Sequence, residues 1–201
     1  MGRWEPGAAG RLREAALQLY VERGFEQTTV AEIAQRAGLT ARTFFRYFAD
    51  KREVLFAGSA SLEAGMVSAL ESAPKDATPI EAVAAALDDA ATTLGQHHDF
   101  SRQRYAVIEA NAELRERELI KMASLSAALA GGLRRRGVPE PDASLAAEAG
   151  IVVLRVAFER WVSEPHDGDL SRLMRESLER LSVVAGRVGA ASAPTRPSSI
   201  S

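Results

Sequence analysis

The stretch from Leu39 to Lys51, LTARTFFRYFADK, sets Phe44, Phe45, Tyr47 and Phe48 among the cations Arg42, Arg46 and Lys51. Four of the chain's twelve aromatics stand here, in a protein that is only 6% aromatic. A core segment would carry the rings without the charges, and a solvated face the charges without the rings. On a helix starting at Ala41, positions 41, 44, 45 and 48 lie toward one side and 42, 43, 46 and 47 toward the other. Phe44 and Phe48, four apart, then pack inward. Arg42, Thr43 and Arg46 project outward, with Phe45 and Tyr47 on the flanks. Such a helix fits the DNA major groove, where Arg bonds guanine O6 and N7 and where Thr43 and Phe45 can touch a thymine methyl. Thr29, Tyr47 and Lys51 are expected to hold phosphates, Thr29 and Lys51 from helix N-termini whose dipole favours anions. Thr40 and Ala41, at the helix start, complete the same surface. In an arbitrary helix Arg42 and Arg46 would be a plain solvated face, so the flanking elements decide.

Those elements are short helices. Leu12, Ala16, Leu19 and Tyr20 form one buried stripe on a helix that starts near Gly10 and ends near Gly24. Thr29 and Glu32 form a T-x-x-E capping box for a second helix that buries Ile33 and Ala34 and stops at Gly38. Thr40 caps the third, and Asp50, with Glu53 three residues on, opens a fourth. Three short helices with a tight glycine-containing turn between the second and third spell a helix-turn-helix. Longer helices are expected at 51–72, 79–95, 101–110, 112–136, 142–163 and 169–187. Breaks fall at Pro74 and Pro79, at GQHHD, at Gly137 with Pro139 and Pro141, and at EPHDGD. Residues 1–9 and the tail from 188 lack an apolar period and are expected to be disordered.

Composition narrows the function classes. The chain has 201 residues, 46% hydrophobic and 26% charged, as a soluble globular protein with a full core would have. It has no cysteine, which excludes disulfides and thiolate metal sites. No apolar run approaches the roughly 18 residues of a membrane span. The opening MGRWEPGAAGRLRE lacks the apolar segment of a secretion signal, so the cytoplasm is expected. Net charge is −2 and the pI about 6.0, so DNA binding does not follow from global charge. Residues 1–56 nonetheless carry nine Lys or Arg against seven Asp or Glu. No Ser-His-Asp set, glycine-rich phosphate loop or catalytic carboxylate pair stands out, so neither an enzyme nor a cofactor is expected. His97 and His98 would diverge by about 100° on a helix and cannot chelate one metal efficiently. They are expected as exposed turn residues, and no metal site is expected. RERELIK and LRRRG look like solvated surface.

The segment TTVAEIAQRAGLTARTFFRYFADKREVLFA resembles the DNA-binding signature of the tetracycline-repressor (TetR) family of bacterial transcription regulators. The likeness covers about residues 8 to 57 and rests on T-T-V-x-x-I-A, A-G-L-T, and T-F-F-x-Y-F followed by a lysine. It implies an all-α homodimer: an N-terminal three-helix helix-turn-helix domain (10–57) and a larger helical ligand-binding and dimerisation domain (58–187). It implies as well a regulator, most often a repressor, that binds a palindromic operator as a dimer and is released by a small-molecule effector. One position departs from the family. Where many members have a tyrosine that bonds a phosphate, this chain has Phe45, which can offer only an apolar contact.

Residues 145–158, LAAEAGIVVLRVAF, are apolar almost all round, as in a helix covered on two sides. One cover is expected to be a second copy of the chain, meeting Val152 together with Leu173, Leu178 and Leu181 of the last helix. Candidate pocket-lining residues are Tyr105, Ile108, Met122, Leu125, Phe158 and Trp161, with plain core packing as the rival role for each. Many Ala, Leu and Val side chains and few convergent charges point to a mainly apolar organic effector. Two alternatives remain open at this stage: a helix-turn-helix regulator without a small ligand, and a helical enzyme or carrier.

Overall fold

Side-chain caps open the helices that start at Val30, Ala41 and Pro79 in the computed structural model, which describes residues 7–164 and 168–190. Thr29 Oγ1 accepts the N–H of Glu32 at 3.3 Å while the Glu32 carboxylate accepts the Thr29 N–H at 2.9 Å. Thr78 and Glu81 repeat the arrangement ahead of Pro79. The helices are α1 (Ala8–Arg23), α2 (Val30–Arg36), α3 (Ala41–Tyr47), α4 (Ser59–Ser72), α5 (Pro79–Leu94), α6 (His98–Glu109), α7 (Ala112–Arg135), α8 (Asp142–Ser163) and α9 (Leu170–Ala190), with one 3₁₀ turn at Glu53–Phe56. No strand occurs among the described residues, and the fold is all-α as expected.

The single fourth helix expected over 51–72 is broken. Asp50 accepts the N–H of Arg52 at 2.8 Å and of Glu53 at 3.1 Å, but it opens no long helix: a 3₁₀ turn follows, whose N-cap position is Arg52. Gly58 then adopts φ +95°, a left-handed conformation that costs a residue with a Cβ about 1–2 kcal/mol, and α4 begins one residue later. Of residues 1–9, expected to be disordered, Ala8 and Ala9 belong to α1 and 1–6 lie outside the described residues. Of the tail, 188–190 continue α9 and 191–201 lie outside. The break expected at EPHDGD falls partly on 165–167, also outside the described residues.

Two hydrophobic cores form. The first joins Leu12, Leu19 and Tyr20 of α1 to Ile33, Phe44 and Phe48, and then to Val54, Leu55 and Phe56 of the 3₁₀ turn. It also takes in Val107, Ile108 and Leu114, so α6 and α7 supply part of the floor beneath the helix-turn-helix. The second core packs Met66, Leu70, Leu87, Leu129, Leu154, Trp161 and Leu173 among α4, α5, α7, α8 and α9. Helices α5 and α8 approach closely because Gly150 has no side chain; a Cβ there would lie 2.5 Å from Val83 Cγ1.

Two residues expected to be solvated, Arg136 and His98, are instead engaged within the chain, while Arg134 and Arg135 are exposed as expected. In LRRRG, Arg136 donates to the carbonyls of Glu71, Ala73 and Pro74, satisfying the open C-terminal end of α4, and Arg135 pairs with Glu71. Nor is His98 an exposed turn residue. Its Nε2 lies 2.9 Å from the Trp161 carbonyl, and its ring stands edge-on to the Trp161 indole with centroids 4.6 Å apart. The indole N–H in turn donates to the Gly168 carbonyl at 2.6 Å.

Candidate nucleic-acid interface and effector cavity

The angle of α3 is set by its neighbours. The turn before it closes through the Leu39 N–H on the Ala34 carbonyl at 2.8 Å, and Thr40 caps it by accepting the Thr43 N–H at 3.2 Å. Phe44 is fully buried and Phe48 nearly so, their rings 5.5 Å apart. Across α1 and α2, Arg36 grips both carboxylate oxygens of Glu22, at 3.0 and 2.8 Å, and Arg23 reaches Glu32 at 3.1 Å. Exposed pairs of this kind add little stability, but the two-pronged geometry fixes orientation.

With its phenylalanines anchored, α3 turns Arg42, Phe45, Arg46 and Tyr47 to solvent, and Ala41 and Thr43 are half-exposed. Phe45 is 58% exposed and leans edge-on against Phe44. The Arg46 guanidinium lies 5.0 Å over the Tyr47 ring and donates to its hydroxyl at 3.3 Å, so the two act as one paired group. No acidic residue occurs on α3. The exposed face therefore joins two guanidiniums, hydroxyls and an apolar ring with no carboxylate to repel phosphate.

Lys51 is placed otherwise than its expected phosphate role requires. Its ammonium donates to the carbonyls of Phe25, Glu26 and Thr28 at 2.9, 3.3 and 3.2 Å, and sits 4.3 Å from the Phe25 ring centroid. All three N–H donors are thereby engaged within the chain. Its own carbonyl accepts the Tyr20 hydroxyl at 2.6 Å, and burial pushes that phenol well above its ordinary pKa. Lys51 is thus a clasp on the loop before α2, formed across a sequence gap that local spacing does not reveal. Thr29, likewise, directs its hydroxyl to Glu32 at 2.8 Å while remaining on the exposed side of the helix start.

A cavity of about 410 Å³ opens between the 3₁₀ turn and the C-terminal helices. Tyr105, Met122 and Phe158 line it, as expected from sequence. The other three expected residues do not. Ile108 is buried in the first core, Leu125 in the second, and Trp161 lies behind Phe158, their rings 5.7 Å apart. Arg13, Leu62, Phe100, Arg104 and Leu154 also belong to the wall and were not legible, because the wall is assembled from six α-helices and the 3₁₀ turn rather than from one periodic face.

Arg104 joins this cavity to the DNA-binding region. Its Nε donates to the Leu55 carbonyl at 2.7 Å, its Nη1 pairs with Glu118 at 3.3 Å, and its guanidinium lies 5.1 Å from the Phe56 ring centroid. Burial draws its pKa below the ordinary range, with Glu118 opposing that change and Arg13 adding to it. Beside it, Glu53 of the 3₁₀ turn pairs with Arg117 and Lys121 of α7. Within RERELIK, Arg117, Glu118 and Lys121 are therefore spent on ion pairs at the seam between the two cores, while Arg115, Glu116, Leu119 and Ile120 are solvent-exposed as expected.

A second, shallower groove runs along α8 and α9. Val152 and Val156, each 41% exposed, meet Leu181 and Val184 there. Of the residues expected at a dimer interface, Leu173 is fully buried in its own core and has no surface to offer a partner. Leu178 is half-buried against the same core.

Comparison with known proteins bears on this geometry. Residues 12–57 match the family model of bacterial regulatory proteins of the tetR family, and residues 77–187 match the MftR C-terminal domain. The chain is 37% identical over 76 residues to the HTH-type transcriptional regulator TcmR of Streptomyces glaucescens, a match spanning 38% of this chain and 34% of that protein. It is 25% identical over 175 residues to the fatty acid metabolism regulator protein of Bacillus subtilis, covering 84% of this chain and 90% of the relative. The fold of FadR from Bacillus subtilis, solved in complex with stearoyl-CoA, superposes with a TM-score of 0.59 at 24% identity, over 85% of this chain and 96% of that one. The helix-turn-helix, the larger helical domain and the two matching family models lead to one assignment: the chain belongs to the TetR family of bacterial transcriptional regulators.

Proposed function

We propose that the protein is an effector-responsive repressor that binds a palindromic operator as a homodimer in the bacterial cytoplasm. The observation that carries the reading is the exposed face of α3, where Arg42, Thr43, Phe45 and the Arg46–Tyr47 pair stand clear of any carboxylate on their helix. Arg42 and Arg46 meet base edges, Phe45 and Thr43 meet thymine methyls, and Tyr47 with the α2 start at Thr29 meets phosphates.

Dimerisation through α8 and α9 is supported by the groove around Val152, Val156, Leu181 and Val184, an apolar strip flanked by Arg160, Glu176 and Arg180. The effector seat is the 410 Å³ cavity, whose volume lies within the range of small-molecule pockets and which disfavours a regulator without a ligand. The stearoyl-CoA bound to a protein of the same fold lends weight to an organic effector with a long apolar part. Gel-shift titration of the duplex flanking the protein's own gene tests the reading. Retardation that a cavity ligand reverses is the expected result; equal retardation of scrambled duplex contradicts it.

A further inference from the structure

The apolar lining of the cavity accounts for the tail of an effector but not for the cations inside it. Arg104 is 20% exposed at its side chain and shares one carboxylate, Glu118. Arg13 of α1 lies near enough to disfavour the charge on Arg104, makes no ion pair among the described residues, and stacks its guanidinium 4.9 Å from the Phe100 ring centroid. The remaining charges on the wall offset one another or are engaged elsewhere. Lys121 pairs with Glu53, while Arg115 and Arg155 are exposed, as are Glu109 and Glu159. Exposed charges are screened by water, whereas the half-buried guanidiniums of Arg13 and Arg104, of which only Arg104 is paired with a carboxylate, are screened less. The inner wall thus holds two guanidiniums against the single carboxylate of Glu118, one positive charge in excess.

We propose that the effector is an amphipathic anion, its apolar chain against Leu62, Met122, Leu154 and Phe158 and its anionic head between Arg13 and Arg104. This rests on the cavity being the effector site. A carboxylate or phosphate head supplies oxygens for charge-assisted hydrogen bonds from both guanidiniums. The position has a regulatory consequence. Arg13 belongs to the first helix of the DNA-binding region, and Arg104 holds the Leu55 carbonyl at the turn that ends that region. A head group seated between them ties α1 to α6, and its arrival changes what Arg104 holds.

Isothermal titration of the full chain with dodecanoate, dodecyl phosphate, dodecanol and dodecyltrimethylammonium, below their micellar concentrations, tests the assignment. At least one of the two anions should bind tenfold or more tighter than dodecanol, and the stronger anion identifies the head as carboxylate or phosphate. Arg13→Gln should erase that preference while leaving dodecanol affinity and melting temperature unchanged. Met122→Trp, which fills the cavity, should abolish binding of all four. Equal binding of dodecanol and the anions, tightest binding of the ammonium, or an anion preference that survives Arg13→Gln would overturn the head-group assignment and leave the cavity reading standing. Binding that survives Met122→Trp lies outside the cavity and overturns the proposal. If no probe binds the wild-type chain, the effector-cavity reading fails and the head-group assignment falls with it.

Discussion

Arg104 Nε donates to the Leu55 carbonyl at 2.7 Å, so a side chain on the cavity wall is hydrogen-bonded to the turn that closes the DNA-binding region. That one contact joins the two cores at the point where an effector would sit. Arg104→Met keeps the aliphatic length but leaves the Leu55 carbonyl and the Glu118 carboxylate without their donor. The expected cost is about 1–3 kcal/mol of unfolding free energy, measured by urea denaturation. Combined with Glu118→Gln the loss should be less than additive, because the two variants remove the same interaction.

Lys51 makes a different prediction from that of an exposed phosphate-binding lysine. Lys51→Met strips three carbonyls of their shared donor, so the melting temperature should fall by several degrees, as a loss of about 1–2 kcal/mol would produce. The slope of log affinity for DNA against log salt should stay the same. A slope reduced by about one counterion, with unchanged melting, would return Lys51 to the phosphate contacts.

Glu53 supplies the pH dependence. Its environment is partly buried, which opposes ionisation, but hydrogen bonds and charge from Arg117 and Lys121 prevail and hold its pKa below the ordinary 4.5. A group whose folded pKa is depressed contributes stability that is present above the unfolded value and lost as pH falls through the folded one. Wild type should therefore exceed Glu53→Gln in stability at pH 7, with the gap closing below about pH 4.5. Melting curves from pH 7 to 3 decide it; a gap that widens on acidification contradicts the ion-pair account.

At the groove between α8 and α9, Val152→Glu or Val156→Glu should yield a folded monomer by sedimentation velocity, since both side chains are exposed in one protomer. Leu173→Ala should instead cost about 2–5 kcal/mol of folding stability, because Leu173 is fully buried within its own chain. A wild-type protein that sediments as a monomer at micromolar concentration would remove the dimer from the account.

What could be read from the sequence was local. Thr29 with Glu32, Thr40, and the four-residue spacing of Phe44 and Phe48 declare their helices through contacts within one or two turns, and the structure realises each of them. The features that escaped depend on chain segments far apart. The Lys51 clasp spans 26 residues to Phe25, and the Arg104–Leu55 bond spans 49. Gly58 hides in an otherwise helical pattern, since only its left-handed φ shows that the helix must stop there. Leu173 and Val152 look alike as apolar helix residues, and only the packing of α9 onto its own core distinguishes a buried position from one open to a partner.

The central claim is that the exposed face of α3 reads DNA. Fluorescence anisotropy of wild type, Arg42→Ala and Arg46→Ala on the duplex flanking the protein's own gene, and on a scrambled duplex of the same length, tests it most directly. Each substitution should weaken specific binding by about 1–3 kcal/mol while changing binding to the scrambled duplex far less. Circular dichroism should show both variants folded, because neither guanidinium is buried. Unchanged specific affinity in both folded variants would contradict the account, and α3 would then not be the reading helix.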